Sequence, residues 1–106
     1  MKWIKIFADL KIARETIPHN NSKLVIIGEK RICLSNINDA FYAIQDLCPH
    51  SGHSLSQGKI NYLNEVVCPL HGYRFSLKDG QEGDHKCKDV QTYRVKVDEE
   101  GLFIFV

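Results

Sequence analysis

Long apolar runs are missing from this chain. The longest spans only a handful of residues, so no segment is expected to cross a membrane as a helix. Met1-Lys2-Trp3-Ile4-Lys5-Ile6 alternates instead of forming the apolar block of a signal peptide, so an export leader is not expected. An excess of charge is also missing. The 106 residues carry 14 Lys and Arg against 13 Asp and Glu, a formal net charge of +1. That balance gives no electrostatic case for a nucleic-acid or polyanion partner. Cysteine is sparse: Cys33, Cys48, Cys68 and Cys87. Four could build an extracellular disulfide framework on count alone. But Cys48 and Cys68 are each followed closely by histidine, and Cys33 and Cys87 lie far apart in sequence. A reducing cytoplasm, with two ligand and two free cysteines, is the simpler expectation.

What is present is ordinary for one globular domain with a modest core: 43% hydrophobic and 25% charged residues. Residues 2–7 alternate with period two and predict a half-buried strand. Residues 8–17 leave room for a helical turn, and Pro18-His19-Asn20-Asn21 reads as loop. Residues 23–27 and 30–35 flank Gly28-Glu29 as a hairpin, with Cys33 on the face opposite Ile32 and Leu34. Cys33 is expected to be a small apolar strand residue. Asn36-Ile37-Asn38-Asp39 reads as a turn, 40–46 as a strand, 51–58 as a loop, and 65–67 and 73–77 as short strands. Lys78-Asp79-Gly80 turns the chain. Residues 81–89 are polar and irregular. Residues 91–97 alternate, with Tyr93, Val95 and Val97 on one face, and pair with 102–106 as the clearest hairpin. The expectation is an all-β chain of roughly eight to ten short strands, a small sandwich or barrel.

Two segments carry chemistry: Cys48-Pro49-His50 and Cys68-Pro69-Leu70-His71. Each offers one thiolate and one imidazole, and proline stiffens the backbone just past each cysteine. Two sulfur and two nitrogen donors on two loops form a metal-site signature. Structural zinc accepts Cys2His2, although its usual spacing keeps like donors together, CxxC before HxxxH. A two-iron, two-sulfide cluster with two Cys on one iron and two His on the other explains the mixed pairs better, since each loop then serves both irons.

On these residues the chain resembles the Rieske family: CxH, seventeen residues, then CxxH. Ser51-Gly52-His53-Ser54-Leu55 is similar to the family's first-loop continuation. Residues 73–80 are similar to the strand and turn after the second loop, and Tyr93-Arg94-Val95-Lys96-Val97 to the closing hairpin. The resemblance implies a single Rieske domain over 1–106: a β base of antiparallel sheets, with a cluster-binding unit at about 46–78. It implies one 2Fe-2S cluster, held by Cys48 and Cys68 through sulfur and by His50 and His71 through Nδ1. Pro49, Ser51, Gly52, Leu55, Pro69, Leu70, Gly72, Tyr73 and Phe75 would shape the loops and their surroundings, and Gly72 would let the backbone pass close to the cluster. A direct ligand role is not expected for His53 or Cys87. The segment holding His85 and Cys87 departs from the family's pattern, which leaves the third wall of the site open.

The implied function is a cytoplasmic one-electron carrier, a ferredoxin of Rieske type and not itself an enzyme. Implied partners are a flavin reductase and an oxygenase. Alternatives are the small subunit of a nitrite-reductase-like complex, serving a large subunit, and, more remotely, a zinc module. The catalytic domain of a ring-hydroxylating oxygenase does not fit in 106 residues. With neutral imidazoles the oxidised cluster is formally uncharged, whereas an all-cysteine cluster starts two charges more negative. That difference raises Rieske potentials to between about −150 and +300 mV. High-potential members have a Ser directly after the second-loop His-Gly, a Tyr two residues later, and a disulfide between the loops. Here Tyr73 and Phe75 stand at the first two positions, and His53 and Leu70 where that disulfide's cysteines would be. The expected potential lies near the bottom of the range.

Overall fold

A computed structural model describes all residues, 1–106. The chain opens with β1 (Trp3–Phe7) and a short helix α1 (Leu10–Thr16). Asp9 caps the helix, its carboxylate accepting the Ile12 N–H at 2.8 Å, which satisfies a backbone donor the first turn leaves open. Then come β2 (Asn21–Ile27), β3 (Lys30–Ile37) and β4 (Ala40–Gln45). The middle of the chain holds β5 (Lys59–Ile60), β6 (Glu65–Val67) and β7 (Arg74–Ser76). It closes with β8 (Thr92–Tyr93), β9 (Val95–Asp98) and β10 (Gly101–Phe105). Three antiparallel sheets result, in the orders β1-β10-β9, β2-β3-β4-β8 and β5-β6-β7. The expected all-β architecture is the one observed.

β3 explains how the sheets assemble. All residues from Ile32 to Ile37 are buried, so both of its faces are covered. Ile32 and Leu34 join Ala13, Ile17, Phe41, Ala43, Leu102 and Ile104 in one core. Cys33 and Ile37 join Ile44, Leu55, Val66, Phe75, Leu77 and Val90 in the other, which also contains Cys48 and Cys68. Strand alternation thus makes β3–β4 a partition between a base core and a core beneath the loops. Cys33 is fully buried, and burial pushes its thiol up to about 11 despite hydrogen bonds from Ser35 and Ser22. It is an inert packing residue.

Two expectations need correction. The turn after β3 is only Asn38-Asp39, both at positive φ (52° and 68°), the geometry of a two-residue hairpin turn matched to strand twist. Asn36 and Ile37 are strand. Asn36 is fully buried, its amide donating to the Ile17 carbonyl and accepting from the Asp39 N–H. Residues 91–97 are not one strand. β8 pairs with β4 in the second sheet and β9 pairs with β10 in the first, so the chain changes sheets at Arg94. Tyr93 and Val95 pack on the base core, while Val97, past the bend, is 39% exposed.

Candidate metal centre

The two loops that follow β4 and β6 are the same turn. In the first, Gly52 N–H donates to the Cys48 carbonyl (2.7 Å) and Cys48 N–H to the His53 carbonyl (2.9 Å). In the second, Gly72 N–H donates to the Cys68 carbonyl (3.0 Å) and Cys68 N–H to the Tyr73 carbonyl (2.7 Å). Each turn is closed between a cysteine and the residue five places on, with a glycine at φ +73° one residue before the close. That conformation is why glycine stands at both places. A Cβ on Gly52 or Gly72 would meet no protein atom within 4 Å, so protein crowding does not demand it. Histidine falls two residues after Cys48 but three after Cys68. The one-residue difference between CxH and CxxH is a difference of position within one shared turn.

The four donors come together as two pairs. Cys48 and Cys68 are 2% and 1% exposed in the same core, while His50 and His71 reach the surface with ring centroids 5.2 Å apart, edge to face. Burial opposes ionisation of Cys68. Even so, hydrogen bonds from Ser51, the N–H groups of Leu70 and His71, and the Cys48 side chain hold its thiol below the ordinary range. The Ser51 Oγ lies 3.5 Å from the Cys68 Sγ, tying the first loop to the second cysteine. Such donors stabilise the thiolate that a metal needs. No three His, Cys, Asp or Glu side chains converge at the spacing a single metal ion requires. A pair of buried thiols and a pair of exposed imidazoles fits a binuclear group, in which each metal takes two protein ligands.

Leu55 and Phe75 are both fully buried in the core that also contains Cys48 and Cys68. Pro49, Ser51 and Tyr73 are half-buried, whereas Gly52, Pro69, Leu70 and Gly72 are exposed. Tyr73 points at the site, its ring stacked on His50 at 4.2 Å between centroids and 13° between planes. All four cysteines are free.

The anchors of the loops are less visible in sequence. Asp46 is fully buried at the end of β4 and accepts from the Ser54 hydroxyl (2.7 Å) and the Ser56 N–H (2.9 Å), with Arg31 at 3.7 Å. Arg74 pairs with Glu65 (3.2 Å) and Asp84 (3.0 Å). Glu82, 1% exposed, accepts backbone N–H groups from Lys86, Asp84 and Arg74. Burial opposes its ionisation, yet those three donors hold its carboxyl below the usual range. They fold the polar 81–89 segment into the third wall. Cys87 packs half-buried on the core beneath the loops, and Lys86 Nζ lies 5.7 Å from the Tyr73 ring centroid. Burial, with the neighbouring Cys48, Glu82, Asp89 and Cys68, pushes the Cys87 thiol up. His85 is exposed at positive φ (55°).

Three antiparallel sheets and two matched Cys/His turns define a cluster-binding β domain. The family model described as a Rieske-like 2Fe-2S domain matches residues 2–104, and the chain belongs to that family. Its cofactor is accordingly a Rieske-type 2Fe-2S cluster. A relative in Shigella boydii serotype 4, the 3-phenylpropionate/cinnamic acid dioxygenase ferredoxin subunit, is 39% identical over 74 residues, covering 69% of this chain and 70% of that protein. The ferredoxin of carbazole 1,9a-dioxygenase from Nocardioides aromaticivorans IC177 has a similar structure. Its TM-score is 0.84 at 24% identity, over 98% of this chain and 97% of that one. A protein described as the small subunit of an NADPH nitrite reductase matches at TM-score 0.82 and 27% identity, over 100% of both chains. No helix is long and apolar enough to cross a membrane.

Proposed function

We propose that this chain is a one-electron carrier whose cluster is held by Cys48, Cys68, His50 and His71, two thiolates on one iron and two imidazoles on the other. The observation that carries this is the shared turn, with one buried thiol and one exposed imidazole per loop. The division into one thiol and one imidazole per loop favours the cluster over a single zinc ion. When bound, the cluster accepts and releases one electron at a time. The chain's residues do the rest. Cys48 and Cys68 keep their sulfur away from water. His50 and His71 present the imidazole edges by which electrons enter and leave. Pro69, Leu70 and Gly72, with Ser51 and Gly52, form a small surface beside them, and Leu70 is 55% exposed. Transient redox encounters need no larger interface. Residues 46–78 act as the cluster-binding unit on a β base, within one domain spanning 1–106.

The chain serves an oxygenase as acceptor, with a flavin reductase as donor, and is not itself a catalyst. Similarity to a dioxygenase ferredoxin subunit supports this. The full-length match to a nitrite reductase small subunit supports a second reading, a redox subunit in stable complex with a large reductase. Gel filtration with each candidate partner separates the two: a lasting complex favours the subunit, rapid exchange the carrier.

The potential lies near the bottom of the Rieske range of about −150 to +300 mV. Phe75 has no hydroxyl and is fully buried, and no disulfide joins the loops. An EPR-monitored redox titration of the purified protein tests the whole reading. The expected result is a red-brown protein with about two irons per chain and a rhombic signal from the reduced form. A colourless, EPR-silent zinc protein would overturn the cluster ligation, and a midpoint above about +100 mV the low-potential assignment.

A further inference from the structure

The two turns match in backbone but not in what covers their imidazoles. Tyr73 closes the second turn, and its ring lies stacked on His50 of the first, 4.2 Å away and 13° from parallel. His53 holds the equivalent place in the first turn, yet among the ring pairs His71 meets only His50, edge to face. Both imidazoles reach the surface, but only His50 has a ring face covered by an aromatic neighbour.

The Tyr73 ring is itself held. It is half-buried against the core that contains Cys48, Cys68 and Phe75. Its backbone carbonyl accepts the Cys68 N–H at 2.7 Å, which fixes the residue to the second loop. Lys86 Nζ lies 5.7 Å from its centroid, on the 82–87 segment that Glu82 gathers around its carboxylate. A ring fixed on one loop thus lies flat against the ligand of the other.

We propose that Tyr73 is a positioning residue that makes the two imidazoles inequivalent, clamping His50 and excluding water from one of its faces while His71 stays uncovered. The inference rests on the ligand set proposed above. Two consequences follow from the physics. A clamped imidazole keeps its orientation through electron gain and loss. A dry, electron-rich ring face disfavours the extra negative charge of the reduced cluster, so Tyr73 lowers the potential, because the apolar shell around a site sets its local dielectric. The effect comes from the ring, not from the hydroxyl.

The test uses the cluster-loaded full chain as wild type and as Tyr73→Phe, Tyr73→Leu, Tyr73→Ala and His53→Ala variants. Potentials are read by redox titration, and the two ligand nitrogens by pulsed EPR on protein labelled with nitrogen-15 histidine. Expected results are a higher potential in Tyr73→Ala and a changed coupling for one of the two nitrogens in both Tyr73→Ala and Tyr73→Leu. Tyr73→Phe and His53→Ala keep the wild-type values. Tyr73→Leu retains apolar bulk, so it reports on the ring even where the alanine variant folds poorly. Unchanged nitrogen couplings in Tyr73→Leu would overturn the inference, as would a Tyr73→Phe shift as large as that of Tyr73→Ala. A wild-type protein without a Rieske signal would instead overturn the ligand assignment, and the inference with it.

Discussion

The first loop, from Cys48 to His53, and the second, from Cys68 to Tyr73, have the same backbone and different supports. Both close through cysteine and glycine N–H groups, and both pass through φ +73°. Beneath the first lies Leu55, and behind it the buried carboxylate of Asp46 holds Ser54 and Ser56. Beneath the second lies Phe75, and beside it Arg74 and Glu82 hold the 82–87 segment. Duplicating a turn therefore does not duplicate a site. The turn sets where sulfur and nitrogen sit, and the supports set how firmly and in what dielectric.

The largest effects are expected at the proposed ligands. If both loops serve both irons, Cys48→Ser and Cys68→Ser should fail alike, each falling from about two irons per chain to nearly none. Iron and sulfide analysis of the purified variants checks this, and full loading in either one would dismiss the symmetric assignment. Next in size are the apolar supports. Phe75→Ala should cost about 3–5 kcal/mol and Leu55→Ala about 2–5 kcal/mol, from lost burial plus the cavity left behind. Urea denaturation gives both. A loss under 1 kcal/mol at either position would show that the loop above it is carried by its hydrogen bonds instead.

Asp46→Ala should come next, at about 1–3 kcal/mol, because it strips the carboxylate partner from the half-buried Ser54 hydroxyl and from the Ser56 N–H. The loss should appear as faster hydrogen exchange at Ser56, with little change at Gly72. Smaller still are Gly52→Ala and Gly72→Ala, about 1–2 kcal/mol each for a side chain at positive φ. A Cβ meets no protein atom within 4 Å at either site, so the two costs should be equal. A clear difference in denaturation midpoint would show that the turns are held unequally in solution.

Much of this was legible in the residues, and the reasons are local. Period-two alternation marks the β2–β3 hairpin, and it places Cys33 against one core and Leu34 against the other, because successive strand residues face opposite ways. The two candidate metal-binding loops show through donor types at fixed spacing. What stayed hidden depends on contacts distant in sequence. Asp46 and Glu82 read as ordinary polar residues, and only the fold surrounds them with donors. The 91–97 run keeps its alternation while changing sheets at Arg94, and period alone says nothing of which sheet a strand joins. Tyr73 stands where high-potential members have Ser. Its stacking on His50 needs the two loops side by side, which spacing implies but does not orient.

The smallest expected effect is pH-dependent and belongs to the second loop's wall. Three backbone N–H groups keep the Glu82 carboxyl ionised more readily in the folded chain than in the unfolded one, where it titrates at about 4.3. Protons therefore bind preferentially to the unfolded chain in acid. The carboxylate's contribution is complete above about pH 4.3 and fades as pH falls through the lower folded value. Glu82→Gln offers one carbonyl oxygen where two carboxylate oxygens now serve three donors, so it should be less stable than wild type at neutral pH. The gap should narrow in acid as the wild type also loses its charge. Urea midpoints of the two proteins across this window check the sign. A gap that stays constant, or widens, on acidification would mean that Glu82 holds the wall by its shape and not by its charge, and that the support of the second loop is no more electrostatic than Leu55 beneath the first.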